Sequence, residues 1–354
     1  MKFFSRFALA AVTALALFST APAQAAPKKE FKVAWSIYVG WMPWGYAADH
    51  GIVKKWADKY GIKIDVVQFN DYIESINQYT AGSLDGVLST NMDALAIPSV
   101  GGVDTTAIIV GDYSNGNDAI ILKDKDKLAD IKGQKVNLVE LSVSHYLMAR
   151  ALETVGMSEK DVTVINTSDA DMIAAWKTPD VSAMVTWNPM VATILKESNA
   201  HNVFDSSSIP GEIQDCLVVN TQILKDNPDF GKAMVGIWFD TLKMMKSGTP
   251  EAKAMYESMA KASGTDLAGF DGQLETTKMF WTPKEMLAFT DGDLVPAMDK
   301  VRHFLFEHGL LGDNAPSADV VGIEFADGKV IGDPKNVKFR FSDEYMKLAA
   351  EGKL

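Results

Sequence analysis

The sequence predicts an α/β protein, because short apolar strands alternate with amphipathic helices along the chain. The strand-like run FKVAWSI (31–37) precedes a helical pattern over 46–60, and IKIDVVQF (62–69) then returns as a strand. Connections of this kind are right-handed crossovers, so we expect largely parallel sheets with helices on both faces. The 354 residues are enough for about two domains, at roughly 150 residues each.

The first half of the chain carries clear signals for where its helices begin and end. The helix over 46–60 stops at Gly61. Asp71, followed three residues later by Glu74, is similar to a capping box and predicts the start of the next helix. The third strand is LDGVLST (84–90), after which Thr90 or Asn91 can cap a short helix.

The second half repeats this alternation and then becomes mostly helical. Strands are predicted in TTAIIVGDY, DAIILKD, VNLV, TVIN, SAMVTW and CLVVN, and a helix is predicted from about Ser144 to Val155. From Ile223 onward the pattern is helical, with a hairpin expected around Asp327-Gly328.

The N-terminus has the layout of a cleavable secretory signal over residues 1–25. Two basic residues precede an apolar run from Phe7 to Phe18, and small residues follow up to Ala25. No cysteine stands directly after this site to carry a lipid, so we expect a periplasmic protein without a lipid anchor. The single cysteine, Cys216, lies in an apolar run and is expected to be a buried small side chain.

The charge balance argues against two classes of partner. The chain has 34 Lys and Arg against 46 Asp and Glu, and removal of residues 1–25 changes the net charge to 32 − 46 = −14. Nucleic acids and anionic membrane surfaces need a basic footprint, so neither is an expected partner.

Aromatic residues are concentrated in YVGWMPWGYAADHGI (38–52), close to the predicted mature start. This segment begins where the first strand ends, and α/β sheets bind ligands at such strand ends. Tyr38, Trp41 and Trp44 therefore belong either to the hydrophobic core or to a box around a ligand. The residues alone leave both interpretations open.

Two longer stretches carry a family resemblance. DIKGQKVNLVELSVSHYLMARALETVGMSEKDVTVIN (130–166) and DMIAAWKTPDVSAMVTWNPMV (171–191) resemble the second lobe of periplasmic substrate-binding proteins of ABC importers, in the nitrate/sulfonate/taurine superfamily. This resemblance implies a type II periplasmic binding protein with two α/β lobes and two hinge crossovers. Lobe 1 would comprise 26–115 plus 225–354, and lobe 2 would comprise 116–224.

Within that superfamily, the chain is most similar to the group associated with urea carboxylase operons. GWMPWGYA, STNMDALAIPSVGG and DYSNGNDAI carry this closer match. Members of the group are thought to take up guanidine or urea-like nitrogen compounds. The resemblance thus implies a small nitrogen-rich ligand, with an ABC permease and its ATPase as partners.

The charge of the expected cleft favours a cation. In sulfonate-binding relatives small and hydroxyl residues precede the second-lobe helix, whereas here the matching stretch 139–145 contains Glu140. An anion about 4 Å from a carboxylate is repelled by roughly 4 kcal/mol at an effective dielectric constant of 20. A guanidinium ion would instead stack on aromatic faces and donate its in-plane N–H groups to carboxylates.

Eight residues are therefore predicted to bind the ligand. Each has a structural alternative: a solvated turn for Glu140, a helix cap for Ser142, and core packing for the tryptophans. Asn115 and Asp118 lie near the first crossover and indicate a hinge at least as strongly as a site. The predicted ligand-binding residues are Tyr38, Trp41, Trp44, Asp93, Glu140, Ser142, Trp187 and Asp215.

The sequence gives little support for an enzyme, and no catalytic residue, cofactor or metal is predicted. The sequence lacks the G-x-S-x-G, phosphate-loop, dinucleotide-binding and H-E-x-x-H motifs. His303 and His308 are five residues apart, which does not place both on one helical face as a zinc pair requires. We expect a monomeric binding protein for guanidinium, with urea or a taurine-like sulfonate as alternative ligands. A periplasmic enzyme or a sensor subunit is the alternative class.

Overall fold

The computed structural model describes residues 28–312 and 314–354, which form two β-sheets flanked by helices. The predicted signal peptide lies outside the described residues. Fourteen strands are present in this part of the chain: β1 (Glu30–Ser36), β2 (Lys63–Phe69), β3 (Gly86–Thr90), β4 (Thr105–Ser114), β5 (Ala119–Lys123), β6 (Lys135–Leu138), β7 (Thr163–Asn166), β8 (Ala183–Thr186), β9 (Ala200–Asp205), β10 (Gln214–Asn220), β11 (Thr277–Met279), β12 (Gly322–Glu324), β13 (Val330–Ile331) and β14 (Val337–Phe341).

The α-helices of the described residues cover the faces of these sheets. They are α1 (Met42–Asp49), α2 (Ile52–Tyr60), α3 (Tyr72–Thr80), α4 (Asn91–Ala94), α5 (Val143–Thr154), α6 (Met172–Trp176), α7 (Met190–Ile194), α8 (Thr221–Asp226), α9 (Pro228–Met245), α10 (Pro250–Ala262), α11 (Leu267–Leu274), α12 (Pro283–Thr290), α13 (Leu294–Glu307) and α14 (Glu344–Ala350). As far as the described helices go, none is both long and apolar enough to cross a membrane.

Each sheet belongs to one lobe. The large sheet has the order β13-β12-β14-β4-β10-β3-β1-β2, with β11 paired to β4, and the small sheet has the order β7-β6-β8-β5-β9. Both sheets are mixed, because β10 runs antiparallel to β3 and β4, and β5 runs antiparallel to β8 and β9. The prediction of mostly parallel sheets is therefore wrong. The first strand after each crossing between the lobes, β5 or β10, runs antiparallel to both of its neighbours in the sheet that it joins.

The chain changes sheet twice. It leaves the large sheet between Ser114 and Ala119 and returns between Asp205 and Gln214. The return lies earlier than the predicted boundary at 224/225, because β10 pairs with β3 and β4 of the large sheet. The apolar run CLVV is thus part of lobe 1, which corrects its assignment to lobe 2.

Local signals in the sequence place several elements correctly. Asp71 caps α3 by accepting the Glu74 N–H at 2.9 Å, and the Thr90 hydroxyl caps α4 by accepting the Asp93 N–H at 3.2 Å. Strands β12 and β13 form the predicted hairpin, in which Gly328 adopts a φ of 82° that favours glycine. Cys216 is buried in β10, as predicted.

Candidate functional site

A small cavity lies between the two lobes. Lobe 1 contributes residues that follow β1 and β2, the last residue of β3, and residues at the start of β10 and just before it. Lobe 2 contributes the residue before β5, the first residue of α5 and the residue after β8. The cavity is lined by Tyr38, Trp41, Tyr72, Thr90, Asp118, Val143, Trp187, Ile213 and Asp215.

Strand register explains why these residues meet. Strands β1, β2 and β3 are parallel, so their carboxyl ends share one edge of the large sheet. The antiparallel strand β10 begins at that same edge, where Asp215 is in register with Thr90 on one side and Asp112 on the other. Side chains that are distant in the sequence therefore surround one cavity.

Four aromatic rings form a continuous wall of the cavity. Tyr38 meets Trp41 with 5.2 Å between ring centroids, Trp41 meets Tyr72 at 5.8 Å, and Tyr72 meets Trp187 at 5.8 Å. Trp187 belongs to lobe 2, and its Nε1 donates a hydrogen bond of 3.3 Å to the carbonyl oxygen of Ile37 in lobe 1. The wall therefore spans both lobes.

Asp93 lies fully buried behind two residues that line the cavity, Tyr72 and Thr90. Its Oδ2 accepts hydrogen bonds from the Tyr72 hydroxyl at 2.8 Å and the Thr90 hydroxyl at 2.9 Å. Its Oδ1 is buried without a hydrogen-bond partner. Burial raises the pKa of Asp93 to about 6, although these hydrogen bonds act to lower it.

Asp112 and Asp215 are a second buried pair of carboxyl groups. The Tyr38 hydroxyl donates to Oδ1 of Asp112 at 2.8 Å, and Oδ2 of each aspartate is buried without a partner. Burial raises the pKa of Asp112, and burial together with the charge of Asp112 raises the pKa of Asp215. One of the two groups therefore tends to hold a proton when the cavity is empty.

Asp118 brings a further carboxyl group to the cavity from lobe 2. Its Oδ2 accepts a hydrogen bond from the Ser114 hydroxyl at 2.5 Å, and burial raises its pKa to about 7. None of the described residues that line the cavity is Lys, Arg or His. Asp118 and Asp215 therefore line a cavity in which no protein cation balances them, with Asp93 and Asp112 directly behind the wall.

The N-terminus of α5 faces this acidic group. The Ser142 hydroxyl caps the helix, and the N–H of Val143 points to Oδ2 of Asp93 at 3.4 Å. A helix N-terminus attracts anions through its free N–H groups and dipole. Here the carboxylate of Asp93 itself occupies that position, which leaves less room for an anionic ligand.

Five of the eight predicted ligand-binding residues lie at the cavity. Tyr38, Trp41, Trp187 and Asp215 line it, and Asp93 contacts the lining residues Tyr72 and Thr90. Their roles toward a ligand stay a prediction.

The structure does not bring Trp44, Glu140 or Ser142 to the cavity lining. Trp44 is 1% exposed and stacks on Trp238 of α9 with 5.3 Å between ring centroids, so it belongs to the core of lobe 1. Glu140 is exposed in the turn before α5, where its backbone N–H donates to Oδ1 of Asn166. The Ser142 hydroxyl accepts the Ser144 N–H and donates to the Val139 carbonyl oxygen, so it serves the helix cap.

Tyr72 and Asp112 were missed by sequence reasoning, and Asp118 was interpreted as a hinge residue at least as strongly as a site residue. Tyr72 comes three residues after the end of β2, and Asp112 lies near the end of β4 in the stretch VGDY. The signal in the sequence that could have identified both residues is a polar side chain close to the end of a strand. The sequence could not show that β10 lies between β3 and β4, and this pairing brings Asp112 beside Asp215.

Comparisons with known proteins agree with this architecture. The model of the NMT1-like family matches residues 32–261. A protein of Brucella abortus (strain 2308), named as a binding protein, is 25% identical over 243 residues, which cover 67% of this chain and 73% of that protein. The taurine-binding periplasmic protein of Escherichia coli (strain K12) is 21% identical over 260 residues, or 72% of this chain and 80% of that one.

A solved structure supports the fold directly. The alkanesulfonate-binding protein from Xanthomonas axonopodis pv. citri, bound to MOPS, superimposes with a TM-score of 0.65 over 82% of this chain and 96% of that chain. The sequence identity is 17%, so this likeness concerns the fold alone. The predicted two-lobed architecture of periplasmic binding proteins is confirmed.

Proposed function

The chain belongs to the NMT1-like family, and from that premise we propose that it is a periplasmic substrate-binding protein of an ABC importer that captures guanidinium. One observation carries the choice of ligand. The cavity combines the buried carboxyl groups of Asp118 and Asp215 with four aromatic rings, and none of its described lining residues is basic. A buried carboxylate without a counter-charge is costly, and a bound cation would remove that cost.

Guanidinium matches both features of the cavity. It is flat, so its faces can stack on tryptophan and tyrosine rings, which attract cations by about 0.5–2 kcal/mol each. Its N–H groups lie in the plane of the ion and donate to carboxylate oxygens in pairs. The carboxyl groups of Asp215 and Asp118, which both line the cavity, are acceptors of this kind.

Urea fits less well because it carries a carbonyl oxygen that needs a donor. The hydroxyl groups of Tyr38, Tyr72 and Thr90 already donate to buried aspartates. A sulfonate fits less well because it is negative, and Asp93 already faces the N–H group of Val143 at the N-terminus of α5. Relatives named for taurine and alkanesulfonates thus share the fold, whereas this cavity has the opposite charge preference.

The contacts between the lobes support capture by closure. Besides the Trp187–Ile37 hydrogen bond, the Ser168 hydroxyl of lobe 2 donates to Oδ2 of Asp71 in lobe 1 at 2.7 Å. We propose that a hinge motion at the two crossovers breaks both hydrogen bonds between the lobes, and that closure buries the ligand. The closed, monomeric protein would then deliver guanidinium to a permease coupled to an ATPase. Binding without turnover is part of this proposal.

Titration calorimetry of the mature protein with guanidinium, urea, taurine and nitrate tests the ligand. We expect one guanidinium ion to bind per chain, with weaker binding of urea and none of taurine or nitrate. Binding of taurine in preference to guanidinium would overturn the ligand assignment. Conversion of any of these compounds would overturn the binding-protein assignment.

Two matched variants test the site. Asp118→Asn removes a charge without changing the size of the side chain, and we expect at least about tenfold weaker guanidinium binding, since a hydrogen bond to a charged group contributes roughly 1.5–3 kcal/mol. Glu140→Gln makes the same chemical change on an exposed side chain outside the cavity lining. We expect this control to bind as the unmodified protein does. Equal losses in both variants would contradict the assignment of the cavity.

A further inference from the structure

A second cluster of polar groups joins the two lobes away from the cavity lining. His145 is the third residue of α5, and Glu159 begins a short 3-10 helix that follows α5, so both belong to lobe 2. His308 is the C-cap residue of α13, a helix that packs against lobe 1, where Asn91 at the start of α4 contacts Met298. Three elements from both lobes therefore converge on one point.

The cluster has the donor atoms of a metal site. Nε2 of His145 contacts one carboxylate oxygen of Glu159, and Nε2 of His308 contacts the other. The three potential ligand atoms lie within 4.8 Å of one another. The side chains of His145, Glu159 and His308 are 6%, 30% and 17% exposed, so an ion could reach them from a surface cleft that includes Glu159 and His308.

The imidazole of His308 is already oriented for binding. Its Nδ1 donates to the Phe304 carbonyl oxygen at 2.8 Å, and its ring stacks on the Phe304 ring with 3.9 Å between centroids. A histidine that ligates a metal through one nitrogen commonly donates the other N–H to a carbonyl oxygen, which fixes its tautomer. Nε2 of His308 is thus directed toward Glu159.

His145 is held by a different hydrogen bond. Its Nδ1 accepts the N–H of Leu141 at 3.1 Å, which places the proton of a neutral imidazole on Nε2. To ligate an ion through Nε2, this proton must move to Nδ1 and the bond from Leu141 must break. Leu141 lies in an exposed turn with a φ of 62°, outside any helix or strand, so the turn can relax.

We propose that His145, Glu159 and His308 form a binding site for a divalent transition-metal ion of the zinc type. Two imidazoles and one carboxylate are a ligand set that Zn²⁺ takes with bonds of about 2.0–2.2 Å, leaving a fourth position for water. The ion takes the place of the protons that lie between the imidazoles and the carboxylate: the proton on Nε2 of His145 moves to Nδ1 of the same ring, and the proton on Nε2 of His308 is released to water. Ca²⁺ and Mg²⁺ are poor occupants, because they need several oxygen ligands and the cluster offers one carboxylate.

A metal ion at this site would link the two lobes. His308 provides the ligand from lobe 1, whereas His145 and Glu159 provide those from lobe 2. Opening of the lobes would have to break at least one metal–ligand bond. The site therefore belongs to the hinged molecule as a whole and is incomplete in either lobe alone.

Calorimetry of the chelator-treated mature protein with Zn²⁺ tests the proposal. We expect one Zn²⁺ per chain, no comparable binding of Ca²⁺ or Mg²⁺, and a visible absorption spectrum of tetrahedral type when Co²⁺ replaces Zn²⁺. His308→Asn and Glu159→Gln should each weaken Zn²⁺ binding by more than about tenfold. The far-ultraviolet circular dichroism of both variants should match that of the unmodified protein.

His303→Asn is the matched control. His303 lies on the same helix, α13, but its side chain is 52% exposed and its Nδ1 contacts the Asp299 carbonyl oxygen. We expect this variant to keep its affinity for Zn²⁺. An unmodified protein that binds no Zn²⁺, or an equal loss in His303→Asn and His308→Asn, would overturn the proposal.

Discussion

Buried carboxyl groups of this protein lie in two opposite electrostatic environments. Glu212, in the second crossover, accepts hydrogen bonds from the Tyr146 hydroxyl at 2.6 Å and from Nε of Arg150 at 2.9 Å, and it also pairs with Lys300. Asp215, three residues further along the chain, lies beside Asp112, and one oxygen of each is buried without a partner. The two environments are close in sequence but have opposite electrostatics.

The pKa values express this difference. Burial acts to raise the pKa of Glu212, but the hydrogen bonds from Arg150, Lys300 and Tyr146 bring it below its ordinary value. Burial without such cations raises the pKa of Asp215. Glu212, which stabilises the fold, thus has positively charged partners, whereas the carboxyl groups at the cavity have none among the described residues. This contrast is the reason for assigning a cationic ligand to the cavity.

The largest effect on stability is expected at Glu212. Glu212→Ala removes the common partner of Arg150 and Lys300, and we expect the free energy of unfolding to fall by about 2–3 kcal/mol. Asp118→Asn, in contrast, removes a carboxyl group that lacks a cationic partner. This substitution should change the free energy of unfolding by less than about 1 kcal/mol. Urea denaturation of both variants provides the measurement. An equal loss of stability would show that the two environments are not different in kind.

A smaller effect is expected on the aromatic side of the cavity. Trp187→Ala should weaken guanidinium binding by about 1 kcal/mol, or roughly fivefold, because one cation-attracting ring is lost. Trp187→Phe keeps an aromatic face and should recover part of that affinity, as titration calorimetry can show. Recovery by Trp187→Leu to the same extent would indicate that apolar contact is sufficient and that the ring has no electrostatic role.

Much of the fold was predictable because it depends on local patterns. The capping residues Asp71 and Thr90 and the turn at Gly328 act within a few residues, and each begins or ends its element as predicted. The place of β10 depends on pairing with β3 and β4, which are distant in the sequence. For this reason the second lobe boundary and the mixed sheets were not predicted.

The site was predictable in character but only partly in its residues. Aromatic and acidic residues at strand ends indicated an electron-rich cavity, and Tyr38, Trp41, Trp187 and Asp215 line it. Trp44 lies only three residues after Trp41 but stacks on Trp238 in the core. The direction of each side chain depends on which helix packs against it, and the sequence alone does not specify that packing. The negative charge expected from Glu140 comes instead from buried aspartates.

The pH dependence of guanidinium binding tests the central claim most directly. In the empty cavity burial raises the pKa of Asp93 to about 6 and that of Asp118 to about 7, so both groups gain protons as the pH falls through this range. A bound cation favours the charged carboxylates and lowers both pKa values. Titration calorimetry between pH 5 and pH 8, in buffers of different ionisation enthalpy, should show protons released on binding. Affinity should rise with pH by up to about tenfold per pH unit for each proton released. Affinity that is independent of pH across this range, or proton uptake on binding, would contradict the account.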